Sequence, residues 1–259
     1  LNEPRWYDSA EEYRTIQGLV RQGRHREAME RAQYALRSGR LSRRQAARLH
    51  SLICWVYTEE LHQISPAAVL HGEEAVRLAN LLGDAWIKCE ALARLTHAYC
   101  RMNDIRRARA AVETIDAEVS QNEGALTGGT AALFVLRATV ASAESNATEC
   151  LRFLEEAEAA SDSVSLELKA RICQQKVGVL LEHERYDEAR QVLAAQALRD
   201  DGPSPGLEWE MARAWLALAE APENGVEARR MANQALQRTF AAGRLDLARR
   251  FRRRLGHLL

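Results

Sequence analysis

The sequence predicts an all-α fold, a solenoid of about six helical hairpins, and three observations carry that prediction. Apolar residues recur at helical spacing along almost the whole chain. A small residue near the start of each hairpin's second helix keeps a steady beat: Ala28, Ala68, Ala108, Cys150, Ala189 and Ala228, at intervals of 40, 40, 42, 39 and 39. Self-similarity at such a period signals stacked units that bury their apolar faces against their neighbours. Composition excludes the alternative. In 259 residues there are five prolines, fourteen glycines and 6% aromatics, with alanine at about one residue in six. Many short strands would need more turn residues and more β-branched and aromatic side chains.

The hairpins follow in order. The first is expected over about 9–40, with Gly23 at its turn before Ala28. The second, over 41–83, starts its second helix at Ser65-Pro66, a capping serine with proline in the first turn. The third, over 84–122, places Trp86, Ile87, Leu92, Leu95, Ala98, Tyr99 and Met102 on one broad face. It breaks at Asn103-Asp104, where Asp104 suits an N-cap, and resumes with Ile105, Ala108, Val112, Ile115 and Val119. The fourth and fifth, over 128–163 and 164–200, carry Cys150 and Ala189 at the crossing, with Tyr186 just before Ala189. The sixth covers 205–242. A capping helix over 244–256 follows, its apolar stripe Leu247, Phe251, Leu255 and Leu258 backed by arginines. The longest breaks, 122–129 and 200–206, fall between repeats, and the beat continues across both. The chain is therefore expected to be one domain over 1–259. Small residues sit at the crossings because a larger side chain would hold the helices apart. Ala35, Ala75, Ala157 and Ala235 follow seven residues after four of them, while Gly72 departs from an ordinary helix interior.

The segments "RQGRHREAMERAQYAL", "AYCRMNDIRRARAAVE" and "LLEHERYDEARQVL" resemble tetratricopeptide repeats, and the resemblance covers essentially the whole chain. A beat near forty, against the family's usual 34, is similar to the lengthened repeats of bacterial LuxR-type and Rap-type sensory regulators, where "EEAVRLANLLGD" fits. The resemblance implies a right-handed α–α superhelix whose first helices line a concave groove. It also implies which side chains point inward. These are Tyr13, Gln17 and Arg21 from the first hairpin, His50, Tyr57 and Glu60 from the second, and Glu90, His97 and Arg101 from the third. The later hairpins add Arg171, Gln174 and Glu182, then Glu210 and Arg213. This lining lacks the lysine-and-asparagine set with which some family members clamp a terminal carboxylate.

Chemistry of other kinds is not expected. Gly128-Gly129-Thr130 is followed by Ala131, with no lysine in reach, so no phosphate loop forms. His50 and Cys54 lie one helical turn apart, and His97 and Cys100 nearly so, the spacing of paired metal ligands. In an alanine-rich helix such cysteines read as small core residues, and neither metal nor cofactor is expected. Five cysteines without close pairs fit a reducing cytoplasm. No run of eighteen apolar residues occurs, and the acidic start of the chain lacks signal-peptide features. Because position 1 is Leu rather than Met, a further domain ahead of it is allowed for.

Thirty-six basic and thirty-six acidic residues cancel, so nucleic acid is not the expected partner of this chain. Locally the charges segregate: +7 over Arg21–Arg48, −6 over Glu144–Glu188 and +8 over Arg229–Arg254. The function expected is a non-catalytic scaffold that holds a peptide or helix of another protein in the groove. The alternative is a ligand- or peptide-sensing module of a transcription regulator whose DNA-binding domain lies outside the chain.

Overall fold

A computed structural model gives the fold and describes residues 9–22, 24–39, 41–60, 65–122, 129–160, 166–197, 207–220, 225–241 and 252. Gly23 and the expected capping helix, apart from Arg252, lie outside the described residues. Every described element is helical. They belong to two compact units, Leu1–Gly129 and Thr130–Leu259. The first unit holds α1 (Ser9–Arg21), α2 (His25–Arg37), α3 (Arg43–Trp55), α4 (Pro66–Leu82), α5 (Ala85–Arg101) and α6 (Ile105–Gln121). A π-helical turn over Val56–Glu60 extends α3. The second unit holds α7 (Gly129–Ala143), α8 (Ala147–Ala159), α9 (Leu166–Glu182), α10 (Tyr186–Ala197), α11 (Leu207–Glu220) and α12 (Val226–Ala241).

Each unit is a run of hairpins. In the first, α1 packs on α2, α3 on α4, and α5 on α6, while the first helices α1, α3 and α5 also pack on one another in sequence. In the second, α9 packs on α8, α10 and α11, and α11 on α12. The steady beat has its physical basis at the crossings. All six small residues are buried, Ala228 being the most exposed at 6%. Gly72 permits a closer approach still, since a Cβ there would lie 2.7 Å from Leu95 Cδ1 and 3.2 Å from Cys54 Sγ. Trp86 departs from the expected apolar face. It is 55% exposed, whereas its neighbour Ile87 is fully buried. The first turn of α5 thus directs only Ile87 into the core.

One turn geometry recurs at the repeat period. Asn103, Ser145 and Glu184 each adopt φ of 58°, the left-handed conformation. In each, the following amide donates at 2.9 Å to a carbonyl five residues back: Asp104 to Tyr99, Asn146 to Ala141, Arg185 to Leu180. This double-bonded helix ending satisfies carbonyls that a helix otherwise leaves free. The next residue then starts the second helix. Asp104 and Asn146 accept from the Arg107 and Glu149 amides with their side chains, both at 3.1 Å. Ser42 caps α3 in a reciprocal box with Gln45, and Ser65 caps α4 just before Pro66. A glutamate in left-handed backbone is strained where glycine is not. Glu184→Gly is accordingly expected to raise the unfolding free energy by about 1 kcal/mol, measured by urea denaturation; a loss would show that the side chain of Glu184, not its backbone, governs this turn.

Candidate functional site

The first helices of the first unit bring charged and aromatic side chains together. Tyr13 on α1 packs against the core formed by Ile16, Leu19, Leu49, Leu52 and Ile53, leaving its hydroxyl among polar groups. Gln17, one turn on, donates to that hydroxyl at 3.0 Å. Arg48 of α3 places its guanidinium carbon 5.7 Å from the Tyr13 ring centroid. From α5, Arg94 donates to Glu90 at 2.5 Å. Burial raises the Tyr13 hydroxyl above the ordinary phenol range, Glu90 raises it further, and Arg94 and Arg48 pull it back. The cluster is drawn from α1, α3 and α5 and from no second helix. The resemblance identified Tyr13, Gln17 and Glu90 but not Arg48 or Arg94. Glu90-x-x-x-Arg94 is an i,i+4 pair visible in the sequence; Arg48 was visible only as part of a basic run.

His50 and Tyr57 both meet His71 of α4, the second helix of their own hairpin. His50 Nδ1 lies 2.8 Å from His71 Nδ1 on α4, and the Tyr57 ring stacks near His71 at 6.4 Å. His50 turns toward the second helix of its own hairpin because a half-buried imidazole needs a partner and α4 supplies one. The contact requires one ring to present N–H and the other its lone pair. Burial, followed by His71, lowers the His50 pKa to about 4, and burial lowers that of His71.

This arrangement makes stability depend on pH with a definite sign. An unfolded histidine takes up its proton near 6.5, while folded His50 stays neutral until about 4. The unfolded state therefore binds more protons between those values, and stability falls as pH falls through that window and is fully present above it. Thermal melts are expected to decline over this range in the wild type and less steeply in His50→Gln; equal slopes would remove His50 from the account.

The other expected lining residues are dispersed. His97 on α5 is buried, 8% exposed, with its ring edge-on to Trp55 at 6.1 Å. Arg101 is half-buried at the end of α5. In the second unit Arg171 is half-buried on α9, Gln174 and Glu182 are exposed there, and Arg213 is exposed on α11. Glu210 accepts from Arg238 of α12. The side chains of Arg21 and Glu60 lie outside the described residues. Cys54 is buried at the close approach to Gly72. Among the described residues no three His, Cys, Asp or Glu side chains gather as a metal would require. Burial pushes the Cys89 and Cys150 thiols up to about 11, far from the thiolate a nucleophile needs. No helix among the described residues is long and apolar enough to cross a membrane.

No family model and no curated relative matches this sequence. Comparison with solved structures shows the class of fold, a tetratricopeptide-like helical-repeat superhelix. One match is the crystal structure of a Rap protein complexed with competence and sporulation factor. It has a TM-score of 0.78 at 12% identity and covers 99% of this chain and 72% of that one. The likeness noted from the repeat motifs therefore holds at the level of the fold.

Proposed function

We propose that this chain is a non-catalytic scaffold that binds a peptide or helix of another protein on the face where α1, α3 and α5 meet. One observation carries the reading: adjacent first helices bring Tyr13, Arg48, Glu90 and Arg94 to one place, a mixture of ring and guanidinium suited to binding. The fold is that of a Rap protein whose solved structure holds a factor in complex, which supports a ligand-binding use of the same framework. The Cys89 and Cys150 thiols, raised by burial, are unsuited to nucleophilic catalysis. Action in the cytoplasm, without a cofactor and without a membrane, completes the reading.

The test starts with a displayed random-peptide library selected against the purified chain. Arg48→Ala is then compared with Arg26→Ala, an exposed position on the second helix α2. Aromatic and arginine anchors dominate desolvated interfaces, so Arg48→Ala is expected to weaken a selected peptide by about 2 kcal/mol while Arg26→Ala changes little. Tyr57→Ala is less suitable, since Tyr57 packs against the core of the first unit and its truncation affects folding too. Loss of binding in Arg26→Ala alone would place the contact on the second helices and end the proposal.

A further inference from the structure

Two arginines in the first-helix cluster carry buried N–H groups with no protein acceptor among the described residues: Nε of Arg48 and Nη1 of Arg94. Their other contacts are accounted for. Arg94 spends one nitrogen on Glu90, and Arg48 lies against the Tyr13 ring. Arg48 also acts on Asp84, but that carboxylate is held by Arg44 and caps α5 through the Ile87 amide at 3.0 Å. A buried donor without an acceptor costs about 1–3 kcal/mol, and more when charged, so folded proteins rarely keep two in one place.

Charge points the same way. Among the described residues, Arg44, Arg48 and Arg94 face Asp84 and Glu90, an excess of one positive charge. The Lys88–Glu118 pair nearby is neutral. A single monoanion would balance the cluster, whereas a phosphate dianion would overshoot it. The planar fork of arginine matches a carboxylate in both shape and charge.

We propose that Arg48 and Arg94, with Tyr13 beside them, form a binding site for one carboxylate group of a peptide ligand. This rests on the peptide-binding reading and deepens it: the ligand carries an acidic side chain or a free C-terminus that docks between α3 and α5. It also supplies a role for part of the basic run over Arg21–Arg48.

The experiment follows the arginine Nε–H signals of the full chain by NMR, with Arg48 assigned by its loss in Arg48→Lys. Benzoate is titrated in, with benzamide, chloride and inorganic phosphate as controls. The Arg48 signal is expected to shift with benzoate and not with the controls. Arg48→Met and Arg94→Met should each weaken benzoate roughly tenfold or more, the effect of one charge-assisted hydrogen bond. Without ligand, Arg48→Met should melt at or above the wild-type temperature, because it removes a buried N–H left without an acceptor. A marked fall in melting would assign Arg48 a structural role and overturn the site. A silent Arg48 signal, or an equal response to phosphate or chloride, would overturn it as well.

Two tripeptides separate the sources. N-acetyl-Gly-Asp-Gly-amide offers only a side-chain carboxylate, and N-acetyl-Gly-Asn-Gly only a terminal one. A response to either supports the site and names the source, and silence to both rejects a peptide carboxylate. Library peptides that bind α1, α3 and α5 with no dependence on carboxylates would defeat this inference alone. Benzoate recognition in a chain that selects no peptide would defeat the broader reading alone.

Discussion

Leu154→Ala is expected to lower the unfolding free energy by about 2–5 kcal/mol, the range for a large-to-small change in a packed core. Leu154 is fully buried on α8, in a cluster that includes Val135 and Ala138 of α7 and Ile172, Val177 and Leu180 of α9. One side chain thus touches the core shared by two hairpins. In a repeat stack the damage should spread mainly to neighbours. Hydrogen exchange is expected to quicken across α7 to α10 while α11 and α12 are affected less. Equal loss along the whole second unit would contradict nearest-neighbour stacking and point to one indivisible core.

Ala108→Leu is the second large effect, in the opposite direction of volume. Ala108 is fully buried at the start of α6, where α6 crosses α5. Three added carbons have no space there, and overpacking of this kind costs about 1–3 kcal/mol. Ala189→Leu should behave the same way in the second unit, because Ala189 is equally buried on α10. An unaltered melting temperature in both variants would mean that the forty-residue beat does not mark helix crossings.

Much of the fold was legible because hairpin stacking is dictated locally. Small residues at a fixed period, a capping Asp104 and the Ser65-Pro66 helix start each act within a few positions of themselves. Packing follows from them with little further information. Trp86 shows the limit. Its spacing fits the apolar face, yet in the first turn of α5 the core takes only Ile87, and Trp86 stands in solvent. The site was less legible for a similar reason. Family resemblance identifies helix positions that can face a groove, but not which partner a half-buried side chain chooses. His50 found His71, 21 residues away on α4, and Arg48 met Tyr13 from a preceding hairpin, 35 residues earlier. Those choices depend on how helices pack within and between hairpins, which periodicity does not encode. The Glu90–Arg94 and Tyr13–Gln17 pairs, each four residues apart and set by helix geometry alone, could have been read directly.

The central claim is that the first helices of the first unit form the binding face, and photo-crosslinking tests it most directly. A library-selected peptide carrying a single benzophenone would be irradiated with the full chain, and the attachment points mapped by mass spectrometry. Attachment is predicted on α1, α3 and α5, around Tyr13, Arg48 and Arg94, and its loss is predicted when unlabelled peptide competes. Attachment confined to the second helices α2, α4 and α6, or to the arginine-rich segment from Arg249 to Arg254, would contradict the account.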